Sequence, residues 1–93
     1  MRDSLTWRDR YLLSISEDMT VKDIMALRNV GQSTALKIRK KAIDYCLTNN
    51  IDLMGIKVPT IAIHEATKLD IEYYYQKMLL EARAKEVINY AGI

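Results

Sequence analysis

The sequence predicts a mostly α-helical fold with one small β-hairpin, built as a single domain from residues 1–93. Apolar residues recur every three or four positions over most of the chain, which is the spacing of helices with one buried face. Between residues 51 and 58 this spacing changes to alternation, the pattern of short strands. Ninety-three residues supply apolar surface for one core rather than two.

The first two helices are predicted from the same start signal. Thr6 and Asp9 have the spacing of a capping box, in which each side chain accepts a backbone N–H of the other residue. Thr20 and Asp23 repeat this spacing. We therefore expect one helix up to Ile15 and a second that covers two turns after Thr20. The apolar stripe of the first helix comprises Trp7, Tyr11, Leu12 and Ile15.

A sharp turn and a third helix follow. Asn29 and Gly31 both tolerate a left-handed backbone, so the chain can reverse between the second and third helices. Ser33 is expected to cap the third helix, which runs to about Cys46 or Leu47.

The hairpin is predicted after this helix. Residues 51–53 and 56–58 each alternate apolar and polar side chains, with Met54-Gly55 as the turn between them. In that arrangement Ile56 and Val58 face the core and Lys57 points outwards. A helical pair followed by a small hairpin is the order of parts in a winged helix-turn-helix.

Two helices complete the predicted fold. Pro59 fits the end of a strand, and Thr60 can cap a short helix after it. Asp70 is placed to open a long helix from Ile71 to about Ala91. The expected parts are an N-terminal helix (1–18), a winged helix-turn-helix core (19–70) and a C-terminal helix (71–93).

The positive charge is concentrated in one segment, although the net charge is only +2. Residues 28–41 hold five bases and no acid, whereas residues 1–27 hold four bases with five acids and residues 42–93 hold five bases with seven acids. Attraction to phosphate depends on such local clustering, so the segment is a candidate DNA contact. A solvated helix face of ordinary lysines is the alternative.

A helical projection separates two faces of the third helix. The apolar face comprises Ala35, Ile38, Ala42, Tyr45 and Cys46, widened by Leu36 and Ile43. The polar face comprises Ser33, Thr34, Lys37, Lys40, Lys41 and Asp44. Recognition helices commonly place polar residues at their N-terminal end near bases and cations near phosphates. Arg39 points towards the apolar face, and we expect a structural role for it.

Two resemblances support DNA binding. "TVKDIMALRNVGQSTALKIRKKAIDYC" followed by "GIKVPTIAIHEATKLD" resembles the small winged helix-turn-helix proteins of the excisionase and MerR-like superfamily, in particular those of phages and mobile elements of Gram-positive bacteria. This resemblance covers residues 19–70 and implies major-groove contacts from the third helix and a wing contact from Lys57. "LRNVGQSTALKI", residues 27–38, is similar to a helix-hairpin-helix motif, in which backbone N–H groups hold a phosphate without reading bases.

The candidate DNA-binding residues are Arg28, Asn29, Gly31, Gln32, Ser33, Thr34, Lys37, Lys40, Lys41 and Lys57. The two resemblances agree on DNA and differ on sequence specificity.

The C-terminal helix carries three consecutive tyrosines, which span about 200° of a helix and cannot all enter one core. At least one is expected to be exposed or at an interface. The candidate partner-binding residues are Tyr73, Tyr74, Tyr75 and Met78. The helix can pack back on the domain, pair with its copy in a homodimer, or dock onto a larger recombination or replication protein.

Several other functions are not expected. His64 and Cys46 are the only histidine and cysteine, so no zinc site of such residues can form. Cys46 is expected in the core, and there is no glycine-rich phosphate loop. No apolar run reaches the roughly 18 residues that span a bilayer, and the N-terminus has no signal-peptide core, so we expect a cytoplasmic protein without a metal or cofactor.

These patterns together predict a non-catalytic DNA-binding protein of a mobile genetic element, excisionase-like or regulatory. One alternative is an accessory subunit that binds nucleic acid non-specifically and guides it to a polymerase, primase, helicase or recombinase. The other is a helical bundle that only binds proteins.

Overall fold

A computed structural model describes residues 5–53 and 55–91, with side chains up to residue 86. Within these residues the chain forms five helices and two short strands. The elements are α1 (Trp7–Ser14), β1 (Asp18–Met19), α2 (Val21–Arg28), α3 (Gln32–Thr48), β2 (Val58–Pro59), α4 (Thr60–Thr67) and α5 (Ile71–Ala91). The prediction of a mostly helical domain is confirmed, and its two strands form a small antiparallel sheet. None of the helices in the described ranges is long and apolar enough to cross a membrane.

Both predicted capping boxes are present. The Asp9 N–H donates to Thr6 Oγ1 over 3.1 Å, and the Thr6 N–H donates to Asp9 Oδ2 over 3.3 Å. In the second box the Asp23 N–H donates to Thr20 Oγ1 over 3.2 Å, and the Thr20 N–H donates to Asp23 Oδ2 over 2.9 Å. These side chains use N–H groups that the helix itself cannot pair, so α1 and α2 begin where the sequence places them. Asp70 likewise accepts the N–H of the third residue of α5, over 3.1 Å.

Two other predicted caps are wrong. The N-cap of α3 is Gly31, so Ser33 already lies inside the helix. Gly31 has an extended backbone, φ −77° and ψ 176°, rather than a left-handed one, because Asn29 alone supplies the reversal at φ 54°. Thr60 is the first residue of α4 rather than its cap, and Pro59 takes the cap position.

The predicted hairpin is also wrong. Strand β2 pairs antiparallel with β1, Met19 opposite Val58 and Asp18 opposite Pro59, and residues 51–53 form no strand. Met54 of the predicted turn lies outside the described residues. Ile51 cannot begin a strand because its N–H donates to the carbonyl of Cys46 over 2.8 Å, which holds it against the end of α3.

The two strands bring distant segments into the core. Met19 and Val58 are buried, as expected for Val58. Ile56, predicted to face the core, is 75% exposed. The Thr60 N–H extends the pairing by donating to the carbonyl of Glu17 over 3.0 Å. The sheet therefore fixes the start of α4 beside the segment that leads into α2.

The helices pack around one core. α3 packs against α2 and α4, while α1 packs against α2 and α5. The fully buried hydrophobic residues are Met19, Ile24, Leu27, Ala35, Ala42, Cys46, Val58, Ala62, Ile63 and Tyr74. Ser14 is buried as well, and its hydroxyl donates to the carbonyl of Tyr11 over 2.6 Å. Because Ser14 faces inwards, Leu12 and Ile15 of the predicted apolar stripe are exposed.

Tyr74 is the largest fully buried side chain in the described part of the molecule. Its hydroxyl accepts a hydrogen bond from Arg28 Nη1 over 3.3 Å, and its ring lies 5.0 Å from that of Tyr73 and 6.1 Å from that of His64. These contacts correct one prediction, because Tyr74 cannot contact a partner from this position. Arg28 is half-buried and connects α2 to α5 through its bond to Tyr74.

A second arginine joins α1 to the same end of α2. Arg10 Nε donates to the carbonyl of Leu27 over 2.7 Å, and its guanidinium carbon lies 3.8 Å from the centre of the Trp7 ring. A cation at the C-terminal end of α2 also interacts favourably with the helix dipole. Arg10 thus connects α1 to the last turn of α2.

Replacing Tyr74 with alanine should lower the free energy of unfolding by about 3–5 kcal/mol, because a fully buried aromatic site is emptied and Arg28 loses its acceptor. Tyr75→Ala is the matched control, because it removes the same side chain from an exposed position of the same helix. It should cost about 1 kcal/mol or less. Urea titrations followed by circular dichroism measure both, and equal losses would contradict the central position of Tyr74.

Stability should also respond to ionisation of Tyr74. Burial raises the pKa of the Tyr74 phenol above its ordinary value of 10.0, and the hydrogen bond from Arg28 opposes this shift only in part. The folded state therefore binds the phenol proton more tightly than the unfolded chain. This contribution to stability is complete below pH 10.0 and is lost as the pH rises through the folded-state pKa.

The free energy of unfolding of the wild-type chain should accordingly fall more steeply above about pH 10 than that of Tyr74→Phe. Urea titrations at a series of alkaline pH values provide the test. If the free energies of unfolding of the two proteins fall in parallel with rising pH, the Tyr74 phenol proton does not contribute to stability.

Candidate nucleic-acid interface

The third helix is anchored by small residues on one side. Ala35, Ala42 and Cys46 are fully buried, and Ile38 is half-buried against the core. We call the opposite side the lysine face; it consists of Lys37, Lys40 and Lys41, all exposed. The predicted division of α3 into a core face and a cationic face is confirmed, except that Leu36 is exposed.

The lysine face carries its charge without internal neutralisation. Within residues 5–53 and 55–86, the only ion pair joins Lys68 Nζ to Glu65 Oε1 at 3.4 Å. Asp44 is the one acid on the exposed side of α3, one turn beyond the lysines. Three exposed cations on a rigid helix therefore remain available to an anionic ligand.

The N-terminal end of α3 adds polar groups to this surface. Gln32, Ser33 and Thr34 are exposed, and the first turn contains no acid. The Gly31 cap has no side chain that could accept the first N–H groups of the helix. The end therefore presents backbone donors and the positive pole of the helix dipole to the outside.

The turn before α3 sets the angle between α2 and α3. Asn29 adopts the left-handed conformation, and its N–H donates to the carbonyl of Met25. The Val30 N–H donates to the same carbonyl over 3.0 Å, so both bonds close the end of α2. Val30 packs partly buried against the core, which fixes the turn in place.

Lys57 lies in the segment that leads into β2, not on a hairpin, and it is exposed. This segment is tied to α3, because Arg39 Nη2 donates to the carbonyl of Ile56 over 3.3 Å. The bond is consistent with the structural role expected for Arg39. Gly55 supplies a positive φ of 72° just before it. The segment around Lys57 is thus held beside the third helix.

The structure adds Lys22, which the sequence patterns did not indicate. Lys22 is exposed at the start of α2 and lines a groove together with Arg39 and Ile56. An adjoining groove joins Lys22 to Gln32 at the start of α3. The position of Lys22 on the exposed side of α2 follows from the helical period, but its proximity to α3 depends on tertiary packing.

The structure therefore sorts the predicted DNA-binding residues into two groups. The turn and exposed side of α3 bring together Asn29, Gly31, Gln32, Ser33, Thr34, Lys37, Lys40 and Lys41. Lys57 lies on the neighbouring segment, and Arg28 is engaged with Tyr74.

The predicted partner residues do not form one exposed surface. Tyr73 is half-buried, with its ring 6.1 Å from that of Trp7. Tyr75 is exposed and lies 5.6 Å from Tyr11, which confirms that at least one tyrosine is not in the core. Met78 is half-buried on the same helix. Of these four predicted residues, Tyr75 offers the most accessible ring.

The residues suited to catalysis or metal binding are separated or occupied. Among the described residues, no three His, Cys, Asp or Glu side chains are grouped so that they could hold a metal ion. His64 Nε2 lies 2.9 Å from the carbonyl of Ser14 and donates to it, since a carbonyl can only accept. Burial raises the pKa of the Cys46 thiol, so it stays protonated in the core.

Comparisons with known proteins give no significant match to this chain, whether with family models, with curated proteins or with solved structures.

Asn29→Ala should lower the free energy of unfolding by about 1 kcal/mol, because alanine lacks the local hydrogen bonding that lets asparagine adopt a left-handed backbone. Asn29→Gly is the control and should change stability by only a few tenths of a kcal/mol, because glycine adopts this conformation freely. Thermal or urea unfolding of the three proteins provides the comparison. A glycine variant as unstable as the alanine variant would indicate that the asparagine side chain itself holds the turn.

Proposed function

We propose that this chain is a non-catalytic DNA-binding protein that contacts DNA through the exposed side of α3. The observation that carries the proposal is the lysine face, which is exposed, has no ion pair within the described residues, and is backed by a helix side fixed in the core. A rigid cationic helix of this kind can approach a phosphate backbone without reorganising. By resemblance, the biological role is excisionase-like or regulatory, in a mobile genetic element.

The proposed contacts divide along α3. Lys37, Lys40 and Lys41 bind phosphates as point charges, and Gln32 and Thr34 approach base edges from the first turn. Ser33 and the open N–H groups of the same turn add contacts to one phosphate. Phosphate contacts set affinity and position, whereas the polar side chains give whatever sequence preference the protein has.

The finer architecture proposed is a winged helix-turn-helix. The succession of α2, a short turn and α3 supports it, as does the antiparallel pairing of β1 with β2 nearby. Residues 55–57 take the place of the wing in this arrangement, and Lys57 makes its backbone contact. The hydrogen bond from Arg39 to the Ile56 carbonyl supports such a placement, because it holds the segment against α3.

A second candidate function is a non-specific nucleic-acid contact within a larger replication or recombination assembly. The uncapped start of α3 favours it, because backbone N–H groups that hold a phosphate read no bases. This is the mode that the resemblance to a helix-hairpin-helix implies. The two candidates share the same surface and differ in sequence preference.

Changing all three lysines of the lysine face to alanine should weaken binding to a duplex by at least about tenfold at low salt. The slope of log affinity against log salt concentration should fall by about 0.9 for each phosphate that the variant no longer neutralises. Fluorescence anisotropy across a salt series measures both quantities. The matched control changes Arg8, Arg83 and Lys85 to alanine, which removes the same charge from exposed positions on α1 and α5.

Equal losses of affinity in the two triple variants would contradict a dedicated interface on α3, and so would unchanged binding in the first. Selection from a random-sequence duplex pool separates the two candidates. A reader of sequence should prefer its selected duplex to scrambled ones by about 10³-fold. Equal affinities would support the non-specific role instead.

A further inference from the structure

A groove lies at the junction of three helices, and its lining combines three isoleucines with Ser14, Ser16, Glu17, Thr60 and His64. Ile15 at the end of α1, Ile61 in the first turn of α4 and Ile71 at the start of α5 line it together. Each of these side chains is exposed, and Ile61 is 60% exposed. Single exposed apolar residues are ordinary, but three isoleucines from three elements around one depression indicate a binding surface.

The apolar surface continues along α1 and α5. These helices run antiparallel, since the Trp7 N–H donates to Glu81 Oε1 over 3.1 Å and the Tyr11 ring lies beside Tyr75. Leu12 on α1 and Tyr75 on α5 are exposed one turn away from Ile15 and Ile71, respectively. Exposed apolar side chains therefore lie on both helices that lead away from the groove, and an amphipathic helix can bury such side chains.

Acidic side chains lie in the groove and next to it in the chain. Of the described residues that line it, Glu17 carries a carboxylate and none is a lysine or arginine. Asp70 and Glu72 flank Ile71 on either side in the chain, and both are exposed. The surface thus combines three exposed isoleucines with nearby carboxylates, and we call Glu17, Asp70 and Glu72 the acidic rim.

We propose that this groove docks a cationic amphipathic helix of a protein partner. Apolar side chains of that helix fill the space between Ile15, Ile61 and Ile71, and its lysines or arginines pair with Glu17 and Glu72. Complementary charge selects such a partner and repels DNA. A second copy of this chain fits less well, because a two-fold contact through the same surface brings its acidic rims together. The proposal does not depend on DNA binding by α3.

The test uses the full-length protein and a labelled amphipathic peptide of about five helical turns, with leucine on one face and lysine on the other. A second peptide has glutamate in place of every lysine. Fluorescence anisotropy should show binding of the lysine peptide at least about tenfold tighter than binding of the glutamate peptide.

Two variants locate the binding to the groove. Ile61→Ser and Glu17→Lys should each weaken binding of the lysine peptide by about tenfold or more, and Glu17→Lys should also strengthen binding of the glutamate peptide. Both positions are exposed, so circular dichroism should show unchanged helix content. Leu47→Ser and Asp52→Lys are the matched controls at exposed positions elsewhere, and they should leave the affinity unchanged.

Three results would overturn the proposal. Equal affinity for the two peptides would show that the acidic rim does not contribute to binding. Unchanged affinity in Ile61→Ser and Glu17→Lys would place the binding elsewhere. Concentration-dependent self-association of the wild-type protein that Ile61→Ser abolishes, measured by analytical ultracentrifugation, would identify the occupant as a second copy.

Discussion

Burial of the Tyr74 side chain joins parts of the structure that are distant in sequence. Its hydroxyl accepts from Arg28 at the end of α2, and its ring lies near His64 of α4. Tyr74 is the one residue of α5 that is fully buried among the described side chains. The placement of α5, and with it the support of α1, therefore depends on this ring. Arg10 adds to the junction by donating to the carbonyl of Leu27.

The surface chemistry of α3 is a consequence of how its other side packs. Alanine at positions 35 and 42 lets the helix approach α2 and α4 closely, and Cys46 continues the same row. Because these residues form the buried side of α3, its lysines lie on the opposite side, which faces the solvent. Arg39 lies on α3 at the boundary between the buried side and the lysine face. Its long side chain can therefore be half-buried and still donate a hydrogen bond to the Ile56 carbonyl.

The two capping boxes were predictable from the sequence, whereas the starts of α3 and α4 and the long-range pairings were not. The capping boxes at Thr6 and Thr20 join residues three apart, so their chemistry is readable directly. Met19 precedes α2 in the sequence and Val58 follows α3, so no local sequence pattern predicts their strand pairing. Periodicity showed that three consecutive tyrosines must diverge, but only packing decides that Tyr74 is the buried one. The hydrogen bond of Arg28 was not predictable for the same reason, since its acceptor lies 46 residues further along the chain.

The separation of charge explains how a chain with a net charge of +2 can present two surfaces of opposite character. The lysine face lies on the exposed side of α3, while Glu17 lines the groove between α1, α4 and α5, and Asp70 and Glu72 flank its Ile71 in the chain. Beyond about 10 Å, exposed charges are largely screened at ordinary salt concentrations, so each surface is sensed mainly by the ligand that approaches it. We propose that a polyanion binds at α3 and a cationic helix binds in the acidic groove, so that the two ligands do not compete for one surface.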